Sequence, residues 1–367
     1  MKKLLPVFLP LAAALAFAAE PIPPERLVIM IEALSRLQPE QVNANPRLQE
    51  ALGRVLDTTR GSAQFVKLVQ QFQLTNQHTG LLEFAVKNPA DETGVEAMKL
   101  VLAAKQPALF AAALAGTNAL KAVEALGNAR DKQTVPLLLP LVTDAKRDAA
   151  TRKACVRALA QVQEGAVELL RLAREDKLGA DVKFVASTEL NAVRWPQLKA
   201  EAAQLLPLPQ GQGAQALPPV AELLKMTGDA KRGAEVYRRD AIGCIKCHQV
   251  NGEGTDFGPA LSEIGSKLGK DALLEAILDP SAGISFGFEA WTIELKNGDE
   301  AFGLIVSDAA DEVAVKAVGG VVTRFKKSDI ARRTQDKLSI MPAGLQAAMT
   351  TQELVDLIEY LAALKKK

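Results

Sequence analysis

The sequence predicts a mainly α-helical protein with one small antiparallel sheet near its C-terminal end. From about Pro24 to Leu206 it is rich in alanine and leucine and almost lacks the alternating β-branched pattern of strands. Residues Glu289 to Ile330 change to strand-like segments separated by Asn297-Gly298 and Gly319-Gly320, which are hairpin turn signals. Helical patterns flank this segment, so we expect the sheet as an insertion at about residues 286–332.

Length and charge restrict the class of protein. The chain has 367 residues, of which 48% are hydrophobic and 24% charged, which suits two or three soluble globular domains. Lysine and arginine number 44 against 43 acidic residues, giving a formal charge of +1. No overall field would therefore attract nucleic acid, and any charged partner must bind a local patch.

The first 18 residues resemble a signal peptide. Lys2 and Lys3 precede an apolar run from Leu4 to Phe17, which ends in the small-x-small pattern Ala16-Phe17-Ala18. The run falls short of the roughly 20 apolar residues that span a bilayer, and no later stretch is long enough. We expect a protein exported to the periplasm or beyond, with no membrane span after signal removal; retention as an anchor is the alternative.

Residues 19–206 are expected to form a domain of helical repeats. Three similar pairs, Ala125-Leu126, Ala158-Leu159 and Ala192-Val193, recur at intervals of 33 and 34 residues, the spacing of helical hairpins in a solenoid. The segment resembles HEAT-type repeats, with an irregular helical bundle as the alternative. Cys155 lies on the apolar face of one of these helices, where we expect it to be a buried small hydrophobe.

A linker is predicted at residues 207–221, because "PLPQGQGAQALPP" has four prolines, two glycines and no charge. The domain that follows, 222–367, contains the predicted sheet insertion. Its predicted helices are Asp229 to Arg239, capped by Asp229; Lys270 to Leu278, stopped by Pro280; and Thr351 to about Leu364, started by a capping box of Thr350 and Glu353.

The motif Cys244-Ile245-Lys246-Cys247-His248 carries the clearest chemical signal. In C-x-x-C-H, two thiols add to the vinyl groups of a haem and the adjacent histidine binds the iron. A redox dithiol or half a zinc site would also use C-x-x-C, but a zinc site needs further ligands and the chain has one other histidine, His78. Because His78 lies in the polar stretch "TNQHTG", we expect a solvated loop histidine.

Residues beyond the motif are candidates for completing the iron site. Gly258-Pro259 predicts a rigid turn whose carbonyl accepts the Nδ1 proton of His248, so that Nε2 faces the iron. Met341 and Met349 are the methionines available on the other side. Met341 is favoured because Pro342 restrains its loop, whereas Met349 directly precedes the last helix and suits a hydrophobic staple.

Residues from about Glu222 to Leu364 resemble the haem-binding c-type cytochrome domain abundant in planctomycetes and verrucomicrobia. The segments that carry the resemblance are "GDAKRGAEVY", "CIKCH", "GEGTDFGPAL", "LLEAILDPSAGI", "SIMPAGL" and "TTQELVDLIEYL". The resemblance implies a class I cytochrome c fold, in which the helix with Gly233 and Tyr237 crosses the terminal helix, and it implies Met341 as the distal ligand. Many relatives also carry a β-propeller dehydrogenase domain, which this chain lacks.

The expected function is that of an electron carrier with one haem c, not of an enzyme. If His248 and Met341 both bind iron, no coordination position remains for peroxide or oxygen. The expected partners are then a donor, such as a dehydrogenase, and a downstream acceptor. The alternatives are a haem peroxidase or a gas or redox sensor with an open iron site, and a docking solenoid that carries a cytochrome. The expected pocket walls are Leu261, Ile264, Leu273 and Ile277.

Overall fold

A computed structural model describes residues 22–207, 217–239 and 242–366. The predicted signal peptide at 1–18 and most of the predicted linker lie outside these residues. The predicted fold class is confirmed: 57% of the described residues are helical, and the rest include one five-stranded antiparallel sheet. None of the helices described is both long and apolar enough to cross a membrane. Contacts divide the chain between Leu74 and Thr75, so the division predicted at the linker stays a prediction.

The described part of the first unit, residues 22–74, contains four helices. Three of them begin with a proline at the first helical position, where no backbone donor is lost. The four helices are α1 (Pro24–Ser35), α2 (Pro39–Asn43), α3 (Pro46–Thr59) and α4 (Ala63–Gln71). The core side chains include Val55 of α3 and Phe65, Val66 and Leu68 of α4, each at most 1% exposed.

The second unit starts with nine helices, of which the last eight form two rows. The nine helices are α5 (His78–Lys87), α6 (Glu92–Ala103), α7 (Pro107–Ala115), α8 (Ala119–Ala129), α9 (Val135–Thr143), α10 (Ala149–Ala160), α11 (Gln163–Arg174), α12 (Ala180–Asn191) and α13 (Pro196–Leu205). In one row α6, α8, α10 and α12 each pack against the next, and α7, α9, α11 and α13 form the other. Helix α5 packs against α6 and α8.

Two of the three predicted repeat pairs occupy corresponding buried positions. Ala125-Leu126 lies in α8 and Ala158-Leu159 in α10, whereas Ala192-Val193 follows the end of α12. Cys155 of α10 is buried, and burial raises the pKa of its thiol to about 12. The assignment of this region to HEAT repeats stays a prediction.

Beyond residue 217, the described residues form five helices and the sheet. The helices are α14 (Val220–Leu223), α15 (Ala230–Arg238), α16 (Ile264–Lys267), α17 (Lys270–Leu278) and α18 (Thr351–Ala363). Helix α17 has the predicted bounds, α15 is capped by Asp229 as predicted, and Thr350 and Glu353 form the predicted capping box of α18.

Helices α15 and α18 cross at very close range. A Cβ on Gly233 would lie 2.0 Å from the carbonyl oxygen of Asp356, so only glycine allows this approach. The rings of Tyr237 and Tyr360 pack beside the crossing, with centroids 5.7 Å apart. Because α15 ends shortly before Cys244, the crossing also positions the start of the C-x-x-C-H motif.

A buried carboxylate fastens the same crossing. The Asp356 side chain is 2% exposed and accepts hydrogen bonds from Nε of Arg232 at 2.7 Å and from the backbone N–H of Asp229 at 2.8 Å. Gln352 donates to it as well, at 2.9 Å. The hydrogen bond from Arg232 is the largest cause that lowers the pKa of Asp356.

The sheet lies between α17 and α18 in the chain, in the strand order β4-β3-β2-β1-β5. The strands are β1 (Ala290–Leu295), β2 (Glu300–Asp308), β3 (Glu312–Lys316), β4 (Val322–Lys326) and β5 (Ile330–Gln335). The strand-like segments expected from the sequence end at Ile330, so the sheet has one strand more than expected, β5. β5 pairs with β1 and is supported by ion pairs from Arg332 to Glu294 and from Arg333 to Asp308.

The sheet also packs against the helical rows of the second unit. Arg194, which follows α12, lies 4.9 Å from the ring centre of Trp195 and 5.2 Å from that of Phe302 on β2, and it forms an ion pair with Glu300. Arg324 of β4 binds Glu92 of α6 at 3.0 Å. These contacts fix the insertion to the helical region.

We expect Gly233→Ala to lower the free energy of unfolding by about 3 kcal/mol, because the new methyl group has no space at the helix crossing. Denaturant titration measures this. Gly53→Ala in α3 is the control: no atom lies within 4 Å of its added Cβ, so stability should be unchanged or rise by up to about 1 kcal/mol. Equal stability of the two variants would contradict the close crossing.

We expect Asp356→Asn to cost about 1.5–3 kcal/mol near neutral pH, because a charge-assisted hydrogen bond to Arg232 is lost. The folded-state pKa of Asp356 is lowered. Its stabilisation is therefore present above the unfolded-state pKa of about 3.9 and is lost as the pH falls through the lower folded-state pKa. Urea titrations of wild type and variant from pH 7 downwards should show their difference shrinking only below about pH 4. A constant difference would contradict the assignment.

Candidate functional site

The cysteine motif forms a single tight turn. Residues Cys244–Lys246 are a 3₁₀ turn, and Gly243 enters it with φ of +79°. The N–H groups of Cys247 and His248 both donate to the carbonyl of Cys244, at 3.1 and 2.9 Å. The turn therefore places both thiols and the imidazole on one short stretch of backbone.

The two thiols are half-buried and not joined in a disulfide. Burial raises the pKa of both Cys244 and Cys247 to about 11. In redox dithiols, by contrast, a positive environment lowers the pKa of the attacking thiol below its ordinary value. The raised pKa values of Cys244 and Cys247 do not favour a dithiol-exchange site.

The imidazole of His248 has a defined tautomer. Its Nδ1 lies 2.7 Å from the carbonyl oxygen of Pro259, which only accepts, so Nδ1 carries the proton. Burial lowers the pKa of His248, and the hydrogen bond to Pro259 opposes this only partly. The ring is thus neutral at neutral pH and presents the lone pair of Nε2, the arrangement expected from the sequence.

Two further contacts hold His248 that sequence reasoning missed as site features. The hydroxyl of Tyr237, on α15, donates to the His248 carbonyl at 2.6 Å. On the side of the ring, a Cβ at Gly258 would lie 2.6 Å from Cε1 and 2.9 Å from Nδ1. Gly258 was predicted only as part of a turn, although its position next to Pro259 was a signal that the chain passes close to the ring.

The segment that carries Pro259 runs alongside the cysteine turn, which explains why the carbonyl reaches the ring. Thr255 N–H donates to the Ile245 carbonyl at 2.9 Å, and Phe257 N–H donates to the Cys247 carbonyl at 3.1 Å. We call residues 254–259 the proximal segment. Its backbone is joined to the motif at several points before it reaches His248.

Met341 lies in the loop between the sheet and α18. Its side chain is half-buried against the apolar core that also contacts Cys244 and Ile245. Met341 N–H donates to the Ser339 hydroxyl at 3.2 Å, and Ser339 N–H donates to the hydroxyl of Ser281 at 3.1 Å. This loop is therefore tethered to the segment that follows α17.

Met349 differs from Met341 in its burial. It is 3% exposed in the same core and stands directly before the N-cap of α18. This position agrees with the packing role expected from the sequence. Of the two methionines, Met341 is the one whose thioether is only partly buried.

The four residues expected as pocket walls belong to one apolar cluster. Leu273 and Ile277 of α17 are buried in it, and Leu261 and Ile264 pack against its edge.

His78 is the first residue of α5 and half-buried. The prediction of a solvated loop histidine was wrong, because the polar stretch before it ends where the helix begins.

These residues fit a covalently bound haem. Two half-buried thiols at C-x-x-C spacing would provide the attachment, and a neutral imidazole whose Nδ1 carries the proton would provide Nε2 as an axial nitrogen. The hydrogen bond from Nδ1 to a backbone carbonyl is the usual support of a metal-binding histidine. A thioether and an apolar cluster lie around the same motif.

One comparison with known proteins agrees with this geometry. The family model described as Cytochrome c matches residues 230–293, which include α15, the motif, the proximal segment and α17. No curated protein matches the chain. The family match supports a haem-based electron carrier with covalently attached haem c, and domains of this family are typically exported. Met341 and α18 lie beyond the matched residues.

We expect Gly258→Ala to displace the His248 ring and so weaken axial ligation of a bound haem, because the new Cβ would overlap Cε1. The ferric spectrum should gain high-spin bands, and the yield of haem protein should fall. Gly283→Ala is the control, since no atom lies within 4 Å of its added Cβ. A fully low-spin spectrum in Gly258→Ala would contradict the close packing against the ring.

Proposed function

We propose that the protein is an exported c-type cytochrome with one haem, which transfers single electrons between a periplasmic donor and a downstream acceptor. Haem is attached through Cys244 and Cys247, with His248 as the proximal ligand and Met341 as the distal ligand. The observation that carries the proposal is the neutral imidazole of His248, with Nδ1 bound to Pro259 and Nε2 free beside two half-buried thiols.

Two filled axial positions favour electron transfer over catalysis at the iron. A haem bound by imidazole and thioether leaves no site for peroxide or oxygen, and the thioether raises the reduction potential. The protein's contribution is an apolar surrounding and fixed ligands, which limit rearrangement between the oxidised and reduced states. The core around the motif, with Tyr237 at 1% and Leu274 at 1% exposed, suits that task.

The partners follow from the same chemistry. A carrier of this kind accepts one electron at a time from a substrate-oxidising enzyme, such as a dehydrogenase, and passes it to another carrier. The stacked helical rows of the second unit, which resemble a docking solenoid, are proposed as the part that contacts such a partner.

We expect Met341→Ala to abolish the weak long-wavelength band of methionine-ligated ferric haem and to permit carbon monoxide binding in the ferrous state. The reason is that the variant removes the thioether while leaving attachment and His248 intact. Optical spectra of protein matured with the cytochrome c assembly machinery measure both effects. Met349→Leu, which preserves apolar volume in the core, should keep the band.

A wild-type protein that is high-spin and binds carbon monoxide readily would contradict the carrier assignment. The iron would then have an open position, as in a peroxidase or a gas sensor. Loss of the band in Met349→Leu but not in Met341→Ala would instead contradict the choice of methionine.

A further inference from the structure

A continuous set of contacts connects the helical rows to the proximal segment through the tip of the β3–β4 hairpin. The tip, residues 317–321, is closed by hydrogen bonds from Ala317 N–H to the Val321 carbonyl and from Gly320 N–H to the Ala317 carbonyl, at 2.8 and 2.9 Å. On one side it meets the end of α8. On the other it meets Thr255 and Asp256.

On the helical side, Arg130 caps α8 with φ of +50° and donates from Nη2 to the carbonyl of Val318 at 2.8 Å. This contact joins residues 188 positions apart in the chain. Arg324 and Arg194 attach other parts of the same sheet to α6 and to the end of α12. The hairpin tip is therefore held by a helical framework.

On the other side of the hairpin, Lys316 binds the proximal segment. Its ammonium donates to the backbone carbonyl of Asp256 at 3.0 Å and to the Asp256 carboxylate at 2.9 Å. The Lys316 side chain is only 18% exposed, whereas that of Asp256 is 73% exposed. Gly320 also lies close, since a Cβ there would be 3.2 Å from the Thr255 methyl group.

Asp256 is well placed to pass this restraint to the imidazole. It immediately precedes Phe257, whose N–H binds the Cys247 carbonyl, and it stands three residues before Pro259, whose carbonyl binds Nδ1 of His248. A shift of the segment at Asp256 would therefore change the orientation of the His248 ring or the length of its hydrogen bond.

We propose that Lys316 and Arg130 are positioning residues for the proximal ligand: the β insertion transmits the fixed position of the helical rows to the His248 ring. The inference rests on the proposed function, since it concerns the ligand of a bound haem. The proposal also gives the sheet insertion a function, because the orientation of the His248 ring and its hydrogen bond to Pro259 influence the reduction potential of a bound haem.

Two weaker explanations make different predictions. An exposed ion pair contributes little to stability, and a pair with that role alone would leave the haem properties unchanged. A nearby cation could also act by its field alone, raising the potential without moving the ring. The test therefore needs a readout of ring orientation besides the potential.

The experiment uses the full-length haem protein with Lys316→Met, Lys316→Arg and Arg130→Met. Two quantities are measured: the midpoint potential, and the hyperfine shifts of the haem methyl protons in the ferric state, which depend on the plane of the axial imidazole. The matched control is Lys327→Met, since Lys327 pairs with Asp308 at 2.8 Å at the opposite end of β4.

Lys316→Met should move both the potential and the methyl shifts, Lys316→Arg should restore both, and Lys327→Met should leave both as in wild type. Arg130→Met should move the methyl shifts in the same pattern as Lys316→Met, and the double variant should move them no further, because both residues act through one hairpin. If Arg130→Met does not accumulate as folded protein, Arg130→Lys, with a single donor, provides the same comparison.

Unchanged methyl shifts in Lys316→Met would overturn the proposal, whether or not the potential moved. Fully additive effects of the two substitutions would overturn the connection through the hairpin. Failure of the proposed function is distinguishable, because it would appear in the wild type as missing covalent haem or a missing methionine band.

Discussion

The hydrogen bond between Nδ1 of His248 and the carbonyl of Pro259 is the interaction on which the site depends. It fixes the tautomer, because a carbonyl only accepts, and so leaves Nε2 as the metal-binding atom. It also requires the chain to return past the imidazole at a distance that only glycine allows at position 258. The proximal segment and the turn that carries the two cysteines and His248 are therefore one unit, joined by backbone hydrogen bonds.

The remaining structure supports this unit from two directions. The crossing of α15 and α18, made possible by Gly233 and fastened by the buried Asp356, positions Tyr237, whose hydroxyl binds the His248 carbonyl. From the other direction, the sheet insertion contacts the proximal segment through Lys316. The first support is local to the helices around the cysteine motif, whereas the second depends on the helical rows of the second unit.

Local signals explain which parts of this arrangement could be predicted from sequence. The capping box at Thr350 and the proline after Leu278 determined helix bounds correctly, because caps and breakers act within a few residues. β5 was missed, since "IARRTQ" has little apolar alternation and is held by cross-strand pairing and ion pairs. The contact between Lys316 and Asp256 joins positions 60 residues apart, and neither residue is unusual in its local sequence, so only the folded chain brings them together.

Intact mass together with the pyridine haemochrome spectrum of the purified, unfolded protein tests the central claim most directly. The account predicts one haem per chain that stays attached after denaturation and extraction, with the spectrum of a haem whose two vinyl groups are both saturated. Replacing either Cys244 or Cys247 with alanine should leave a single thioether and a shifted spectrum. A polypeptide mass without haem, from a host that matures other c-type cytochromes, would contradict it.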